Sequence, residues 1–471
     1  MKIRFCNNII IIFLTFIFAS VFISCANQSP PPGGDDDKLP PSILKVIPMP
    51  NSTKITGNSI RIEFDEYVER RSLKEAFFIS PKPQGEYEFN WSGRDVEINF
   101  QNKFDLNKTY SVMIGKGLKD VHGNNLTQPI QFAFSTGDSI DNGKVKGKVY
   151  SKKFENIFIF AYNLNAYNPG SLNPAIDKPS NLTQVSDAGF YSFEHLSEGN
   201  YRFFAVRDVN MNNIFDSTVE QISVLNSDLI VSKQDYKTGV NFLFEDFFPD
   251  EYSAYKPGYY TTFSSDTTGF IYSSIKKDEN NIPLDTRFIF YFKNNTLTRY
   301  EIAENLRLYD TLNKKQIRLI YNWQSDSLLE VLLVDKLKFE EKLRFKFDLI
   351  KTSRKIFYEI GFTMLEERKT GNVSGYIKNR LAYNHSVYVK LFDINNEKRI
   401  YSPDSSQDSL FLFKDIPQGE FNLFSFEDEN ENGKYDFGKY FPFKPSESFF
   451  IQEPLLNLKG GWNIENIIVR F

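Results

Sequence analysis

The sequence predicts an all-β protein, in which β-sandwich modules follow one another along a chain of 471 residues. Phenylalanine and tyrosine are frequent, at 47 and 25 residues, and they recur at alternate positions in segments such as residues 201–205. Aromatic residues with a period of two are typical of strands that bury one face. Helical signals are few, and the best of them covers residues 71–78. A chain of this length is expected to hold roughly three to five domains.

The first element is an export signal over residues 1–24. Lys2 and Arg4 give a basic start, and the apolar run over residues 9–23 ends just before Cys25. This run is shorter than the roughly twenty residues that a membrane-spanning helix needs. The segment resembles a bacterial lipoprotein signal, which implies cleavage before Cys25 and acylation of that cysteine. The alternatives are an uncleaved anchor, or a secretory peptide in which the cysteine is incidental.

The second element, residues 25–40, contains prolines, glycines and the acidic run 35–37, and very few apolar residues. Such a segment cannot bury enough apolar surface to fold by itself, so we expect it to act as a flexible tether. The acidic run is then a solvated spacer or part of a sorting signal.

The rest of the chain contains an internal repeat. Three blocks recur in the same order: residues 143–149 as 371–377, residues 191–201 as 411–421, and residues 208–212 as 428–432. Fainter matches precede them, since residues 89–91 (Phe-Asn-Trp) correspond to residues 321–323 (Tyr-Asn-Trp). The chain is therefore predicted to contain two copies of a pair of modules. In each pair, an A module with the fainter matches precedes a B module with the three recurring blocks.

Short strands separated by Gly, Pro, Asn and Asp clusters indicate β-sandwiches. The glycine-rich strand that opens each B module indicates a bulge or a close approach of another backbone. The aromatic segment between the two halves, with Tyr252, Tyr255, Tyr259 and Tyr260, is expected to be an ordered connector. The predicted elements are the first A module (41–138), the first B module (139–245), the connector (246–275), the second A module (276–368) and the second B module (369–471).

These motifs resemble known families. Residues 40–137 resemble the bacterial Ig-like domains of S-layer proteins, through residues 106–110, 120–124 and 134–136. The first B module resembles the transthyretin-like, carboxypeptidase-regulatory type of sandwich, through residues 187–191 and 196–201. The whole arrangement resembles Ig-like lipoproteins of Bacteroidota. These resemblances imply β-sandwich folds and an envelope location, but no reaction. The second A module lacks a counterpart of residues 120–124, so its assignment depends on the repeat.

The strongest chemical signal is a duplicated loop that resembles a calcium-binding loop. Oxygen side chains occupy positions 1, 3, 5 and 9 of each copy, as a hard cation requires. Position 12, which usually holds a bidentate Glu, is Val219 in one copy and Lys439 in the other. We therefore expect weak calcium sites unless another carboxylate, such as Glu220, contributes; the alternative is an Asn-rich turn closed by side-chain-to-backbone hydrogen bonds. The predicted ligands are Asp208, Asn210, Asn212 and Asp216 in the first loop, and Asp428, Asn430, Asn432 and Asp436 in the second.

The sequence offers little support for catalysis. His122, His195 and His385 are widely separated and form no metal-binding pair, and the mature chain retains no free thiol besides Cys25. A glycosidase carboxylate pair leaves no sequence signature, so an unrecognised hydrolase stays an alternative. The formal net charge of -4 argues against a nucleic-acid partner.

Together these features predict a non-catalytic, lipid-anchored scaffold or adhesion protein of the cell envelope, at the outer membrane, with its face undecided. Its predicted contacts are the membrane, through the lipid on Cys25, and an envelope protein or polysaccharide. The runner-up function is a periplasmic accessory factor that docks a partner for envelope assembly or polysaccharide handling. Exposed aromatics of the connector are candidates for stacking on sugars or partner chains, although packing between modules is the favoured alternative. Trp91, Trp323 and Trp462 are expected in cores or at strand ends.

Overall fold

The structure is a computed structural model that describes residues 37–233, 236–248, 271–284, 286–293, 297–351, 354–378, 386–395, 400–403, 405–407 and 409–471. Strands make up 49% and helices 5%, arranged in several separate sheets, which confirms the all-β prediction. The predicted export signal, Cys25, most of the tether, the connector tyrosines and His385 lie outside the described residues. None of the helices in the described ranges has the length and apolar character that crossing a bilayer requires.

The first A module pairs its strands in two sheets, ordered β1-β2-β5-β4 and β3-β6-β7. The predicted helix is present as a two-turn element that leads directly into a strand. The elements are β1 (Ile43–Ile47), β2 (Ser59–Phe64), α1 (Arg70–Ala76), β3 (Phe77–Ser80), β4 (Tyr87–Ser92), β5 (Asp95–Phe100), β6 (Thr109–Ile114) and β7 (Ile130–Ser135).

The first B module also has two sheets. One is ordered β10-β9-β12-β13, with β14 paired to β12; the other is ordered β11-β8-β15, with β16 paired to β8. A 3-10 helix, Glu245–Phe247, follows. The strands are β8 (Gly143–Tyr150), β9 (Ile157–Asn163), β10 (Asn181–Gln184), β11 (Phe190–Leu196), β12 (Gly199–Arg207), β13 (Gln221–Val224), β14 (Leu229–Val231), β15 (Tyr236–Lys237) and β16 (Phe242–Leu243).

The second A module has sheets ordered β17-β19-β23-β22 and β18-β25-β24-β20-β21. A second 3-10 helix, Glu367–Lys369, leads out of it. The elements are β17 (Ile271–Ser273), β18 (Glu279–Ile282), β19 (Phe288–Phe292), α2 (Arg299–Asn305), β20 (Leu306–Asp310), β21 (Gln316–Ile317), β22 (Leu319–Trp323), β23 (Leu328–Leu333), β24 (Lys342–Lys351) and β25 (Arg354–Met364).

The second B module has sheets ordered β29-β30-β26-β34 and β28-β27-β31-β32, with β33 paired to β31. Its strands are β26 (Thr370–Lys378), β27 (Ser386–Asp393), β28 (Ile400–Tyr401), β29 (Ser405–Gln407), β30 (Leu410–Pro417), β31 (Gly419–Asp428), β32 (Phe449–Ile451), β33 (Leu456–Leu458) and β34 (Asn463–Arg470).

The sheet orders repeat between the two halves of the chain. The order β1-β2-β5-β4 recurs as β17-β19-β23-β22, and β10-β9-β12-β13 recurs as β28-β27-β31-β32. The helix α2 lies at the position of α1 and also leads directly into a strand. Our sequence analysis missed α2, although a capping box marks its start, with Thr298 Oγ1 accepting from the Glu301 backbone N–H.

Each module has its own apolar core, in which aromatic residues that alternate along its strands pack among aliphatic side chains. The glycine-rich strands β8 and β26 show the close backbone approach that the sequence predicts. A Cβ at Gly147 would overlap the carbonyl oxygen of Val240, and one at Gly375 would overlap that of Ile467. These glycines therefore admit a neighbouring chain segment at a distance that no side chain would allow.

The first A module packs against the first B module through polar and apolar contacts. Lys116 is buried, and its Nζ lies 2.5 Å from Asp187 Oδ1 and 3.2 Å from the Phe154 carbonyl oxygen. The rings of Phe78 and Phe158 meet edge to face, 5.5 Å apart. This contact fixes the first two modules against each other.

The two B modules also contact each other. In the chain they are separated by the predicted second A module, residues 276–368, which is 93 residues long. The segment after β31 crosses to the first B module, where Tyr440 packs on Phe215 with ring centroids 4.9 Å apart. The Ser446 N–H donates to the Leu225 carbonyl oxygen at 3.1 Å. In the opposite direction, Phe248 stacks on Phe392 of the second B module at 4.5 Å. The B modules are therefore paired, although the second A module lies between them in the chain.

Candidate functional site

The first predicted calcium loop connects β12 to β13 and is organised around Asp208, which is fully buried. Asp208 Oδ1 accepts from the Asn212 N–H at 3.2 Å, and its Oδ2 accepts from the Asn213 N–H at 2.8 Å. The Asn210 and Asn212 side-chain oxygens accept from backbone N–H groups two residues further along. The loop thus folds around its own acceptor oxygens.

The second loop, after β31, has the same arrangement. Asp428 is fully buried, and its two oxygens accept from the N–H groups of Asn432 at 3.1 Å and Gly433 at 2.7 Å. Gly433 has a φ of 74°, and Asn213 at the equivalent position has a φ of 60°. Position 6 of each loop thus adopts the left-handed conformation, which glycine and asparagine tolerate better than most residues.

A glutamate from a later segment spans each loop. Glu220 accepts from the Val209 N–H through Oε1 and from the Asp216 N–H through Oε2, both at 2.9 Å. Glu447 accepts in the same way from Glu429 and Asp436, both at 3.0 Å. The sequence pointed to Glu220 but not to Glu447, because the spacing from the loop differs between the copies. Comparing only the order of acidic residues in the two repeats could have found Glu447.

Burial and charge shape the electrostatics of both loops. Burial raises the pKa of Asp208, and the nearby Glu220 carboxylate raises it further. Burial also raises the pKa of Glu447, with added repulsion from Asp436 and Asp428. One carboxylate in each loop, Asp208 or Glu447, is therefore harder to ionise, and a bound cation would favour its charged form.

The acidic side chains of the loops remain dispersed. Among the described residues, one group of acidic and histidine side chains has ligand atoms that all lie within 4.8 Å of one another. This group is Asp37, Glu66, Asp120 and His122, outside both loops. Asp120 accepts from the N–H groups of His122 and Asn124, both at 2.8 Å, so it closes its own turn. The loop oxygens are likewise used in turn closure, as the alternative interpretation expects, and calcium binding stays a prediction.

Of the histidines singled out by the sequence, His122 lies in a turn and His195 in strand β11, and His385 lies outside the described residues. His122 is exposed, and His195 Nδ1 lies 3.1 Å from the Asp141 carbonyl oxygen. Ser374, in the sequence Gly-Asn-Val-Ser-Gly at residues 371–375, lies inside strand β26 and not at a strand-to-helix turn. Trp91 and Trp323 pack against the A-module cores, whereas Trp462 is 61% exposed just before β34.

A cleft of about 530 Å³ lies where the first A module and the two B modules meet. Its lining includes Gln131, Lys148, Phe190 and Glu453. Sequence analysis missed it, because its residues come from separate modules and form no local motif.

Comparison with known proteins finds one family model and several solved structures that are similar to parts of the chain. The L,D-transpeptidase from Mycobacterium smegmatis matches at 12% identity over 35% of this chain and 76% of that one, with a TM-score of 0.17. The N-terminal part of the bacterial S-layer protein SbsC matches at 17% identity over 42% of this chain and 45% of that one, less than half its length, with a TM-score of 0.16. BcpA, the major pilin subunit of Bacillus cereus, matches at 10% identity over 70% of this chain and 99% of that one, with a TM-score of 0.16.

Similarities at this level support no functional argument. No curated protein matches the chain. The family model for the bacterial Ig-like domain matches residues 37–136, which contain both sheets of the first A module. This segment of the chain is therefore similar to the bacterial Ig-like domain.

Proposed function

We propose that this protein is a non-catalytic, lipid-anchored scaffold of the cell envelope that holds binding surfaces in a fixed arrangement. The observation that carries this proposal is the pairing of the B modules, in which Arg202 of one lies 3.5 Å from the ring centroid of Phe443 of the other. Such a contact resists relative movement of modules that are far apart in sequence. A protein that presents surfaces benefits from this rigidity.

The remaining parts have mechanical roles in this proposal. The lipid on Cys25 anchors the chain in the outer membrane, and residues 26–40 provide reach between the anchor and the first sandwich. The bacterial Ig-like domain at residues 37–136 fits this role because β-sandwiches commonly act as spacers and binding modules.

The proposal includes a calcium ion at each duplicated loop. The donor set fits a hard cation, because each loop offers carboxylate and amide oxygens and a spanning glutamate, Glu220 or Glu447. Binding would hold the ends of the loop together. In the second loop it would also steady the segment that carries Tyr440 and Phe443 to the partner module.

Protease shaving of intact cells tests the location. An antibody against residues 371–471 reports the protein, a periplasmic protein serves as the control, and a Cys25→Ala variant tests the anchor. We expect shaving to remove the signal while the periplasmic control survives, and the Cys25→Ala variant to leave the membrane fraction. Protection until the outer membrane is breached would instead favour the periplasmic accessory role.

A further inference from the structure

The cleft between three modules has a floor formed by the outer face of β8 and β11. These strands pair so that Lys146 lies opposite Ser192 and Lys148 opposite Phe190. Gln131 of the first A module lies at one side, and Glu453 of the second B module lies at the other. Its volume of about 530 Å³ falls within the range of about 300 to 1,000 Å³ that is usual for small-ligand sites.

The charges in the cleft are paired. Lys146 Nζ lies 3.0 Å from Glu194 Oε1, and Lys148 forms an ion pair with Glu453. The two lysines and two carboxylates that line the cleft therefore balance. A strongly anionic or cationic ligand would have to break these pairs, so the site favours a neutral ligand.

An exposed aromatic ring lies in the same cleft. Phe190 is 56% exposed, although phenylalanine side chains are usually buried. The Lys148 Nζ lies 5.2 Å from the ring centroids of both Phe190 and Tyr150, which holds the ammonium group between two rings. The face of Phe190 offers an apolar platform to a ligand that has both C–H and polar groups.

Two glutamine side chains add hydrogen-bonding groups. Gln131 donates through Nε2 to Thr183 Oγ1 at 2.6 Å and to the Ser192 carbonyl oxygen at 3.1 Å, which leaves its own amide oxygen as an acceptor. Gln184 is 2% exposed, and its Oε1 accepts from the Lys116 N–H at 2.6 Å. Its Nε2 has no hydrogen-bond partner among the described residues. A ligand with hydroxyl groups could satisfy both amides.

An extended peptide fits this cleft poorly. Strand β11 is at the edge of its sheet, and an added strand would have to pair with its free backbone groups. The Ser192 carbonyl oxygen on that strand already accepts from Gln131. Recognition in the cleft therefore depends on side chains.

The second B module provides an internal comparison. Its equivalent strands pair Ser374 with Leu412 and Tyr376 with Leu410. The lysines and the serine of the first copy are thus replaced by Ser374, Tyr376 and Leu412. Only the surface of the first B module therefore combines paired charges with an exposed Phe ring at these described positions. There, the first A module and the second B module form the sides of the cleft.

We propose that this cleft binds a neutral oligosaccharide. A sugar ring combines an apolar C–H face, which packs on Phe190, with hydroxyl groups that bond to Gln131, Gln184 and the paired carboxylates. This inference rests on the proposed function and deepens it, because it names the class of ligand that the scaffold holds.

Isothermal titration with the full chain tests this assignment. The protein is purified from membranes in a detergent without a sugar head group, because such head groups would compete. The neutral probes are maltohexaose, cellohexaose, laminarihexaose and mannohexaose; an oligogalacturonate and a heparin hexasaccharide are the anionic ones. Variants are Phe190→Ala, Phe190→Trp and, as the matched control in the second B module, Leu410→Ala, whose side chain is 49% exposed.

We expect at least one neutral probe to bind, with affinity about tenfold weaker in Phe190→Ala. Phe190→Trp should retain binding, and Leu410→Ala should leave it unchanged. Failure of every neutral probe, binding of anionic probes alone, or equal binding by Phe190→Ala would overturn the assignment. Protease shaving tests the scaffold role independently of these results. Cleavage of a bound probe would refute the non-catalytic role but would leave the assignment of the cleft as an oligosaccharide site intact.

Discussion

The guanidinium carbon of Arg202 lies 3.5 Å from the centroid of the Phe443 ring, across the contact between the two B modules. Arg202 is held in place by two hydrogen bonds of 2.8 Å to the Asp228 carboxylate and a third to the Pro169 carbonyl oxygen. A planar guanidinium fixed in this way presents its face to the ring. Phe443 is therefore an anchor of the pairing.

Replacing Phe443 by Ala should remove this anchor. We expect a loss of about 2 kcal/mol of stability, because the ring is half-buried and its stacking on a largely desolvated cation is lost. Phe441→Ala is the control, since Phe441 lies in the same segment but is 39% exposed. Scanning calorimetry measures the stability, and small-angle scattering reports separation of the modules. Equal behaviour of the two variants would contradict the anchoring role.

Lys116→Met should weaken the contact between the first A module and the first B module. The Lys116 ammonium group donates to the Asp187 carboxylate and to the Phe154 carbonyl oxygen, so its loss should cost about 2 kcal/mol. Lys54→Met serves as the control, because the Lys54 pair with Asp138 is exposed and should contribute under about 0.5 kcal/mol. Chemical denaturation compares the two. Unchanged stability of the Lys116→Met variant would mean that this ion pair contributes little.

Calcium should stabilise the protein through the two loops. At a free calcium concentration about ten times the dissociation constant, the gain should be about 1.4 kcal/mol for each site. Asp208→Asn and Asp428→Asn should each remove one site, and Lys54→Met should remove none. The thermal midpoint in calcium and in EDTA, with titration calorimetry, measures this. Absence of binding at millimolar calcium would leave the loops as self-closed turns.

The pH dependence of the second loop has a defined sign. The pKa of Glu447 is raised above its ordinary value of 4.5, so the folded state binds its proton more tightly than the unfolded state. Without calcium, the contribution of Glu447 to stability therefore falls as pH rises from 4.5 through the raised pKa. Calcium needs the carboxylate, so the stabilisation by calcium should grow over the same window.

Glu447→Gln isolates this effect from the other titrating groups. We expect the difference in thermal midpoint between calcium and EDTA to increase with pH in the unmodified protein and to flatten in the variant. The measurement is a series of melting curves between pH 4.5 and pH 7. Matching pH profiles would show that Glu447 does not control the loop.

Gly147→Ala should disrupt the first B module. The new methyl group would overlap the Val240 carbonyl oxygen, which is backbone and cannot rotate away, at a cost of about 3 kcal/mol. Gly117→Ala is the control, because its methyl group would lie 3.9 Å from Ala76 Cβ, an ordinary contact. Thermal unfolding distinguishes them. Tolerance of Gly147→Ala would show that the segment around Val240 can move aside.

The sequence predicted those features that depend on local pattern. Alternating aromatics indicated the strands, the glycines of β8 and β26 indicated close approach, and Asp208 and Asp428 marked the two loops. It did not predict the pairing of the B modules, because nothing in the neighbourhood of Phe443 distinguishes an interface aromatic from a loop aromatic. The cleft was missed for the same reason, since Gln131 and Glu453 meet only after three modules are assembled.

The pairing of the B modules also constrains the order of folding during synthesis. The contact between Lys148 and Glu453 joins residues 305 positions apart, so it can form only when almost the whole chain has emerged. Until then, the face of the first B module that Tyr440 and Phe443 cover remains open to water. A nascent or truncated chain would thus expose an aromatic surface to chaperones and proteases, which gives the cell a means of recognising incomplete copies.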